Sequence, residues 1–168
     1  ELAWVAIDPI RRGEAPGRMG LLLCNDYTDR ATLLRLVDPW QPTSGRGFTT
    51  GKSRPGYLPV GTLFVVPRDV RRFGTGIELA LSVNGVRRQR ASTAEMIWRL
   101  DAMLAQTWAR RDARWDHRGT PVGLTPVPDV IAARTLLMSG TPGGTVFAGV
   151  PFGTKVRGVA RWIAGGFR

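Results

Sequence analysis

Cysteine, histidine and long apolar runs are scarce in this sequence, and each scarcity excludes a class of protein. Cys24 is the only cysteine, so no disulfide framework can form within the chain, and we expect a reducing, cytoplasmic location. His117 is the only histidine and lies among arginines, which excludes a site built from several histidines and predicts a surface residue. No stretch is long and apolar enough to cross a bilayer.

The composition of the chain predicts one globular domain. Hydrophobic residues make up 43% and charged residues 22% of the 168 residues, which suffices for a core of its own. The 21 glycines and 12 prolines favour many turns and therefore a strand-rich α+β fold. We expect a single domain over residues 1–168. Because the chain starts without Met, directly in a strand-like run, we also expect residues upstream of Glu1.

The net charge of +11 raises the question of a nucleic-acid partner. The arginines are scattered in pairs along the chain, and no known nucleic-acid motif accompanies them. We interpret the charge as a tolerated arginine bias that balances an acidic segment or partner, so nucleic acid is not expected.

Short apolar runs predict the strands. They cover residues 2–7, 21–24, 62–66 and 135–138. Residues 77–83 alternate and are followed by Asn84-Gly85, which predicts a β-hairpin because both turn positions need a positive φ.

Helical spacing marks three further segments. Ser92 to Glu95 forms a capping box, which predicts a helix whose core face continues to Trp108. Trp98 lies off this face, where it would meet another subunit. Residues 26–37 predict a short helix, residues 40–54 a long functional loop, and residues 156–163 a helix that docks onto a partner.

Asp26 and Lys52 are the first candidates for chemistry. The chain has 24 lysines and arginines, yet Lys52 and Lys155 are its only lysines. An ammonium is compact and its pKa is adjustable, which a guanidinium cannot offer. With the hard carboxylate of Asp26, Lys52 suggests metal-assisted chemistry on an anionic, oxygen-rich substrate. The alternative is that Asp26 caps a helix and Lys52 is an ordinary surface lysine.

A glycine-rich turn follows the last predicted strand. It reads Ser139-Gly140-Thr141-Pro142-Gly143-Gly144. Its glycines let backbone N–H groups approach a ligand, and Thr141 adds a hydroxyl. Such a turn can bind a carboxylate or an oxyanion.

The order of these motifs resembles the fumarylacetoacetate hydrolase (FAH) family over nearly the whole chain. The matching motifs are, in order, Glu1-Leu2-Ala3, Asn25-Asp26 with Arg30, Gly51-Lys52-Ser53 with Pro59 and Gly61, Val83-Asn84-Gly85 with Arg88-Gln89, Thr93, Glu95, Met96 and Ile97, and the Ser139–Gly144 turn. The resemblance implies the mixed β-roll/β-sandwich of the family's catalytic domain, with a few short helices, and a homodimer.

The resemblance also implies roles for individual residues. Glu1 and Asp26 would bind a divalent metal, usually Mg²⁺ (Mn²⁺ or Ca²⁺ are alternatives), with a further Glu two positions before Glu1. Lys52 would contact the oxygens of the substrate, and Thr141 with Gly140 would grip its carboxylate or carbonyl. The other residues that would bind substrate are Arg30 and Tyr57. Leu33 replaces a polar substrate-binding residue of many members, so we expect a less polar pocket.

The implied activity is hydrolysis of a C–C bond in a β-dicarbonyl or acylpyruvate substrate through a metal-stabilised enolate. The Glu–His pair that activates water in the hydrolases would lie upstream of Glu1. Two alternatives stay open. One is a decarboxylase or keto–enol isomerase on the same metal site, and the other is a non-catalytic homologue that acts as a partner subunit.

Overall fold

A computed structural model describes residues 1–143 and 152–165 of the chain. Its strands are β1 (Leu2–Ala6), β2 (Ile10–Arg11), β3 (Met19–Leu23), β4 (Glu78–Val83), β5 (Val86–Ser92), β6 (Trp115–His117), β7 (Thr120–Val122), β8 (Val130–Ile131) and β9 (Leu136–Met138). Its helices are α1 (Arg30–Leu36), α2 (Phe48–Lys52), α3 (Val70–Phe73), α4 (Leu100–Ala109) and α5 (Phe152–Ala164), with 3₁₀ turns at Pro42–Ser44 and Thr93–Glu95. The described part is strand-rich and α+β, as the composition predicted, and the β-roll type stays a prediction.

The central sheet has β1 in the middle, with β3 and β9 antiparallel on either side. Trp4 of β1 lies opposite Leu21 of β3 and Leu137 of β9. Every residue of β1 is buried, which explains why this strand is an unbroken apolar run. The sequence predicted all three strands of this sheet correctly.

The core packs α4 against one face of the central sheet. Its buried residues are Leu2, Trp4, Ala6, Ile10, Met19, Leu21, Leu100, Leu104 and Ile131. Leu100 and Leu104 lie one turn apart on α4, so the helix presents one apolar stripe to the strands.

Replacing Leu104 with alanine should lower the free energy of unfolding by about 2–5 kcal/mol, because it removes buried methyl groups and leaves a cavity. Leu104 is only 7% exposed. Leu34 in α1 is 42% exposed, and the same change there should cost less than about 1 kcal/mol. Chemical denaturation of both variants checks this difference, and an equal loss in both would contradict the packing of α4.

The hairpin forms as predicted. Asn84 (φ 51°) and Gly85 (φ 77°) both adopt the left-handed conformation between β4 and β5. Two consecutive left-handed residues match the right-handed twist of the flanking strands. The two turn residues themselves therefore determine the conformation of this turn.

The helix after the hairpin begins later than the capping box predicted. The Ser92 hydroxyl accepts a hydrogen bond from the Ala94 N–H, but the turn that it caps ends at Glu95. The Thr93 hydroxyl is buried and accepts from the Ile77 N–H at 2.9 Å. This tertiary bond holds the turn against the base of the hairpin, and the chain becomes extended at Met96 before α4 starts.

The region from residue 26 to 66 mixes confirmed and wrong predictions. The short helix is confirmed as α1, but Asp29 caps it, so the alternative role of Asp26 as a helix cap is wrong. The predicted loop over residues 40–54 contains α2 and a 3₁₀ turn. The predicted strand over residues 62–66 is reduced to one bridge between Val65 and Leu21.

The carboxyl-terminal helical segment is confirmed as α5. In the part of the chain that the structure describes, no helix has both the length and the apolar character needed to cross a membrane. The cytoplasmic location stays a prediction.

Candidate functional site

Glu1 is fixed where the start of β1 meets the end of β3. The Glu1 nitrogen donates to the Cys24 carbonyl at 2.8 Å, and the Cys24 N–H donates to the Glu1 carbonyl at 3.0 Å. Residues that face each other in this way direct their side chains to the same side of the sheet. The sheet register therefore sets the Glu1 carboxylate beside the Cys24 thiol.

Asp26 lies close to the same thiol. Burial raises the pKa of Cys24, and the negative charges of Glu1 and Asp26 raise it further. Cys24 is thus a buried, neutral thiol. Both carboxylates act on it electrostatically, Glu1 from the facing position and Asp26 from two residues further along the chain.

Lys52 reaches Asp26 from the last residue of α2. The Lys52 ammonium donates a hydrogen bond to the Asp26 carboxylate. The Asp29 N–H donates to the Gly51 carbonyl at 2.9 Å, which ties the end of α2 to the start of α1. Gly51 is buried here, and a Cβ on it would lie 3.1 Å from the Asp29 carbonyl oxygen. A glycine before the lysine therefore lets the two helices approach closely enough for the ion pair.

The turn after β9 brings Thr141 to Glu1. The Ser139 N–H donates to the Leu2 carbonyl at 2.9 Å, and the Leu2 N–H donates to the Ser139 hydroxyl at 3.2 Å. Gly140 then adopts a φ of +87°, which a residue with a side chain rarely adopts. The chain reverses there, and the Thr141 hydroxyl donates to the Glu1 carboxylate. Gly144, the last residue of the predicted turn, lies outside the described residues.

A cleft of about 580 Å³ opens beside this turn. One wall is residues 139–143, and the other comes from the segment between β5 and α4. The Gln89 amide donates to the Pro142 carbonyl at 2.7 Å and fastens the hairpin to the turn. The cleft is lined by Leu79, Ala91, Ser92, Thr93, Glu95, Met96, Ile97, Trp98 and residues 139–143.

The sequence did not predict this cleft wall. The predicted helical stripe includes Met96 and Ile97, and both line the cleft. Met96 also packs against the core, as the stripe predicts, whereas Ile97 is 95% exposed, so its place in the core is wrong. Glu95 adds a carboxylate to the same wall. The ordered family motifs are the sequence feature that connects this segment with function. Its helical periodicity instead favours a place in the core.

Arg30 and Tyr57 lie away from the cleft. Arg30 is the exposed first residue of α1. Tyr57 is half-buried, and its carbonyl accepts from the Tyr27 N–H at 3.0 Å, close to Asp26 in sequence. Among the predicted site residues, the structure links Asp26 with Lys52 and Glu1 with Thr141, and only Gly140 and Thr141 line the cleft.

His117 is half-buried in β6, so its prediction as a surface residue is confirmed only in part. Its Nδ1 atom is buried and has no hydrogen-bond partner among the described residues. The strand packs beside α2, the helix that carries Lys52, and the Thr49 hydroxyl of α2 donates to the Asp116 carbonyl.

Glu1 and Asp26 are the residues that the motifs assign to a divalent metal. No group of three or more His, Cys, Asp or Glu side chains within residues 1–143 and 152–165 is placed to hold one. Mg²⁺, however, commonly takes one or two carboxylates and completes its coordination with water and substrate oxygens. Glu1 and Asp26 are hard carboxylates of this kind, and each is engaged by a donor, Asp26 by the Lys52 ammonium and Glu1 by the Thr141 hydroxyl.

Residues 19–163 match the family model described as the fumarylacetoacetate (FAA) hydrolase C-terminal domain. The match includes Asp26, Lys52 and Thr141, while Glu1 precedes it. No curated protein and no solved structure matches the chain.

Proposed function

Because the chain belongs to the fumarylacetoacetate hydrolase family, whose domains are typically enzymatic and generally bind divalent metal ions, we propose that it hydrolyses a C–C bond in a β-dicarbonyl or acylpyruvate substrate. The observation that carries this proposal is a pair of side-chain contacts beside the ends of β1 and β3. Asp26, two residues after Cys24, binds Lys52, and Glu1, which faces Cys24, binds Thr141. Each pair joins residues that are distant in the sequence.

Glu1 and Asp26 would hold the metal, for which we propose Mg²⁺. When bound, the metal supplies a Lewis acid that polarises a substrate carbonyl. The two carboxylates carry the charge that retains such a cation. Glu1 is held by two backbone hydrogen bonds to Cys24, and Asp26 follows Cys24 by two residues.

Lys52 would stabilise the negative charge that develops on the substrate oxygen. During hydrolysis, the oxygen of water adds to one carbonyl carbon, the C–C bond breaks, and its electron pair passes to the remaining fragment as an enolate. A fixed ammonium beside that enolate oxygen lowers the barrier. The enolate then takes up a proton to give the second product.

Gly140 and Thr141 would orient the other end of the substrate. Gly140 and Thr141 both line the cleft, and the Thr141 hydroxyl would turn from Glu1 to donate to a substrate carboxylate. The opposite wall contributes Leu79, Met96 and Trp98. This apolar wall supports a substrate with a bulky or apolar acyl group.

Removing divalent metal should abolish turnover. With an acylpyruvate panel, we expect pyruvate plus the carboxylic acid of the acyl group. Activity should fall at least about a hundredfold in EDTA and return with Mg²⁺ or Mn²⁺, because the metal's charge acts mainly in the transition state. Chromatography of the products checks the reaction.

The products also separate the alternatives. Release of CO₂ from a 2-oxo acid without water addition would replace hydrolysis with decarboxylation, and a tautomer change without fragments would indicate isomerisation. If no substrate is turned over under any of these conditions, the remaining proposal is that the chain is a non-catalytic partner subunit.

The homodimer also stays a proposal. Trp98, its proposed contact, is exposed, with the Arg110 guanidinium 5.6 Å from its ring centre. A monomer at all concentrations in sedimentation would contradict it.

A further inference from the structure

A second cleft, of about 380 Å³, lies between α3 and the start of α4. Trp4, Arg72, Gly74 and Arg99 are among its lining residues. It shares only Thr93 and Met96 with the first cleft and contains neither Glu1, Asp26 and Lys52 nor any residue of the Ser139–Gly143 turn. It is therefore a separate candidate site.

The amino terminus of α4 opens into this cleft. The helix has 10 residues, and its N-cap residue, Arg99, makes no capping hydrogen bond through its side chain. The first intrahelical bond runs from the Met103 N–H to the Arg99 carbonyl at 2.9 Å. The backbone N–H groups before Met103 thus have no acceptor within the helix, and they carry the positive end of its dipole.

Trp4 supplies an independent sign of a missing acceptor. The residue is 3% exposed, and its indole N–H is buried without a partner among residues 1–143 and 152–165. This N–H is a donor only, so it needs an acceptor. It lies at the Gly74 wall of the cleft, where a Cβ on Gly74 would come 3.4 Å from Nε1.

The charged residues of the cleft leave positive charge uncompensated. Both of its aspartates are already engaged. Asp101 accepts from the Arg71 guanidinium at 2.8 and 2.9 Å, and Asp69 accepts from the Arg72 N–H at 2.9 Å. The guanidinium groups of Arg72 and Arg99 form no ion pair within the described part of the chain. Three arginines against two aspartates leave the lining with an excess of positive charge beside the unpaired N–H groups.

We propose that this cleft binds a small oxyanion, in the form of a phosphate or carboxylate group. The oxyanion accepts hydrogen bonds from the Trp4 indole and the first turn of α4, and it pairs with Arg72 and Arg99. Charge-assisted bonds of this kind are stronger than neutral ones, and guanidinium groups match both anions geometrically.

The test is a titration of the intact protein with inorganic phosphate, and separately with succinate, at constant ionic strength. Two-dimensional ¹H–¹⁵N NMR follows the indole signal of Trp4, which the Trp4→Phe variant assigns. Arg72→Gln and Arg99→Gln remove one charge each from the exposed rim of the cleft. Arg87→Gln on the exposed strand β5 removes the same charge elsewhere and is the matched control.

We expect saturable movement of the Trp4 indole signal with at least one of the two anions. The stronger of the two identifies the ligand class. Arg72→Gln and Arg99→Gln should each weaken binding by about tenfold, while Arg87→Gln should change it less than about twofold. A Trp4 signal that does not move, or an equal loss in Arg87→Gln, would overturn the proposal. Neither outcome depends on turnover, so this test is independent of the proposed reaction.

Discussion

Replacing Lys52 with methionine is expected to lower kcat/KM by about two to three orders of magnitude, which is the usual cost of losing one charged donor at a developing oxyanion. Methionine keeps the length of the side chain and removes the ammonium that binds Asp26. The Lys52 side chain is 40% exposed. Its ion pair therefore contributes little to folding, and the melting temperature should stay within a few degrees.

The control for Lys52→Met is Arg46→Met, which removes the same charge from the segment just before α2. Arg46 is exposed and pairs loosely with Asp38 at 3.9 Å. Steady-state kinetics of the two variants should differ by at least about fiftyfold. Lys52→Arg adds a second comparison, since a guanidinium retains the charge but not the compact shape. Full turnover in Lys52→Met would remove the oxyanion role.

The second large effect is expected from Asp26→Asn. Asparagine retains the shape of the side chain but removes the negative charge, and metal affinity in oxygen-ligand sites depends on the number of charged ligands. We expect the dissociation constant for Mg²⁺ or Mn²⁺ to rise at least about tenfold, with a parallel loss of turnover at limiting metal. Isothermal titration calorimetry measures the first effect directly.

Asp112→Asn is the matched control for this change. Asp112 is highly exposed and lies at the far end of α4, so its substitution alters the net charge equally without touching the site. If both variants bind metal as the parent does, Asp26 is not a ligand. If both lose affinity equally, the effect is one of overall charge, and the assigned site is wrong.

Local features of this fold could be predicted from the sequence because neighbours along the chain determine them. The Asn84-Gly85 turn needs only two left-handed residues, and β1 needs only an unbroken apolar run. The start of α4 could not be predicted in this way. A buried bond from Ile77 to Thr93, 16 residues apart, stops the turn that the capping box opens.

The candidate site depends on contacts that are distant in sequence. Lys52 and Asp26 lie 26 residues apart, and Thr141 and Glu1 lie 140 apart. No periodicity encodes either pair, because both follow from the register of β1 with its two neighbours and from the docking of α2. The ordered motifs of the family include these residues and also Met96 and Ile97, but that the last two form a cleft wall emerges only from the packing.

The central position of β1 makes the proposed metal site and the second cleft sensitive to one kind of error. Glu1 precedes this strand and Trp4 lies within it, so strand pairing fixes both positions. A slip of β1 by one residue would turn each of its side chains to the opposite face. Trp4 would leave the core, and Glu1 would lose its place opposite Cys24 in the same event. A misregistered molecule would thus lack both sites together, and inactive protein in a preparation should form a distinct population rather than a graded loss of activity.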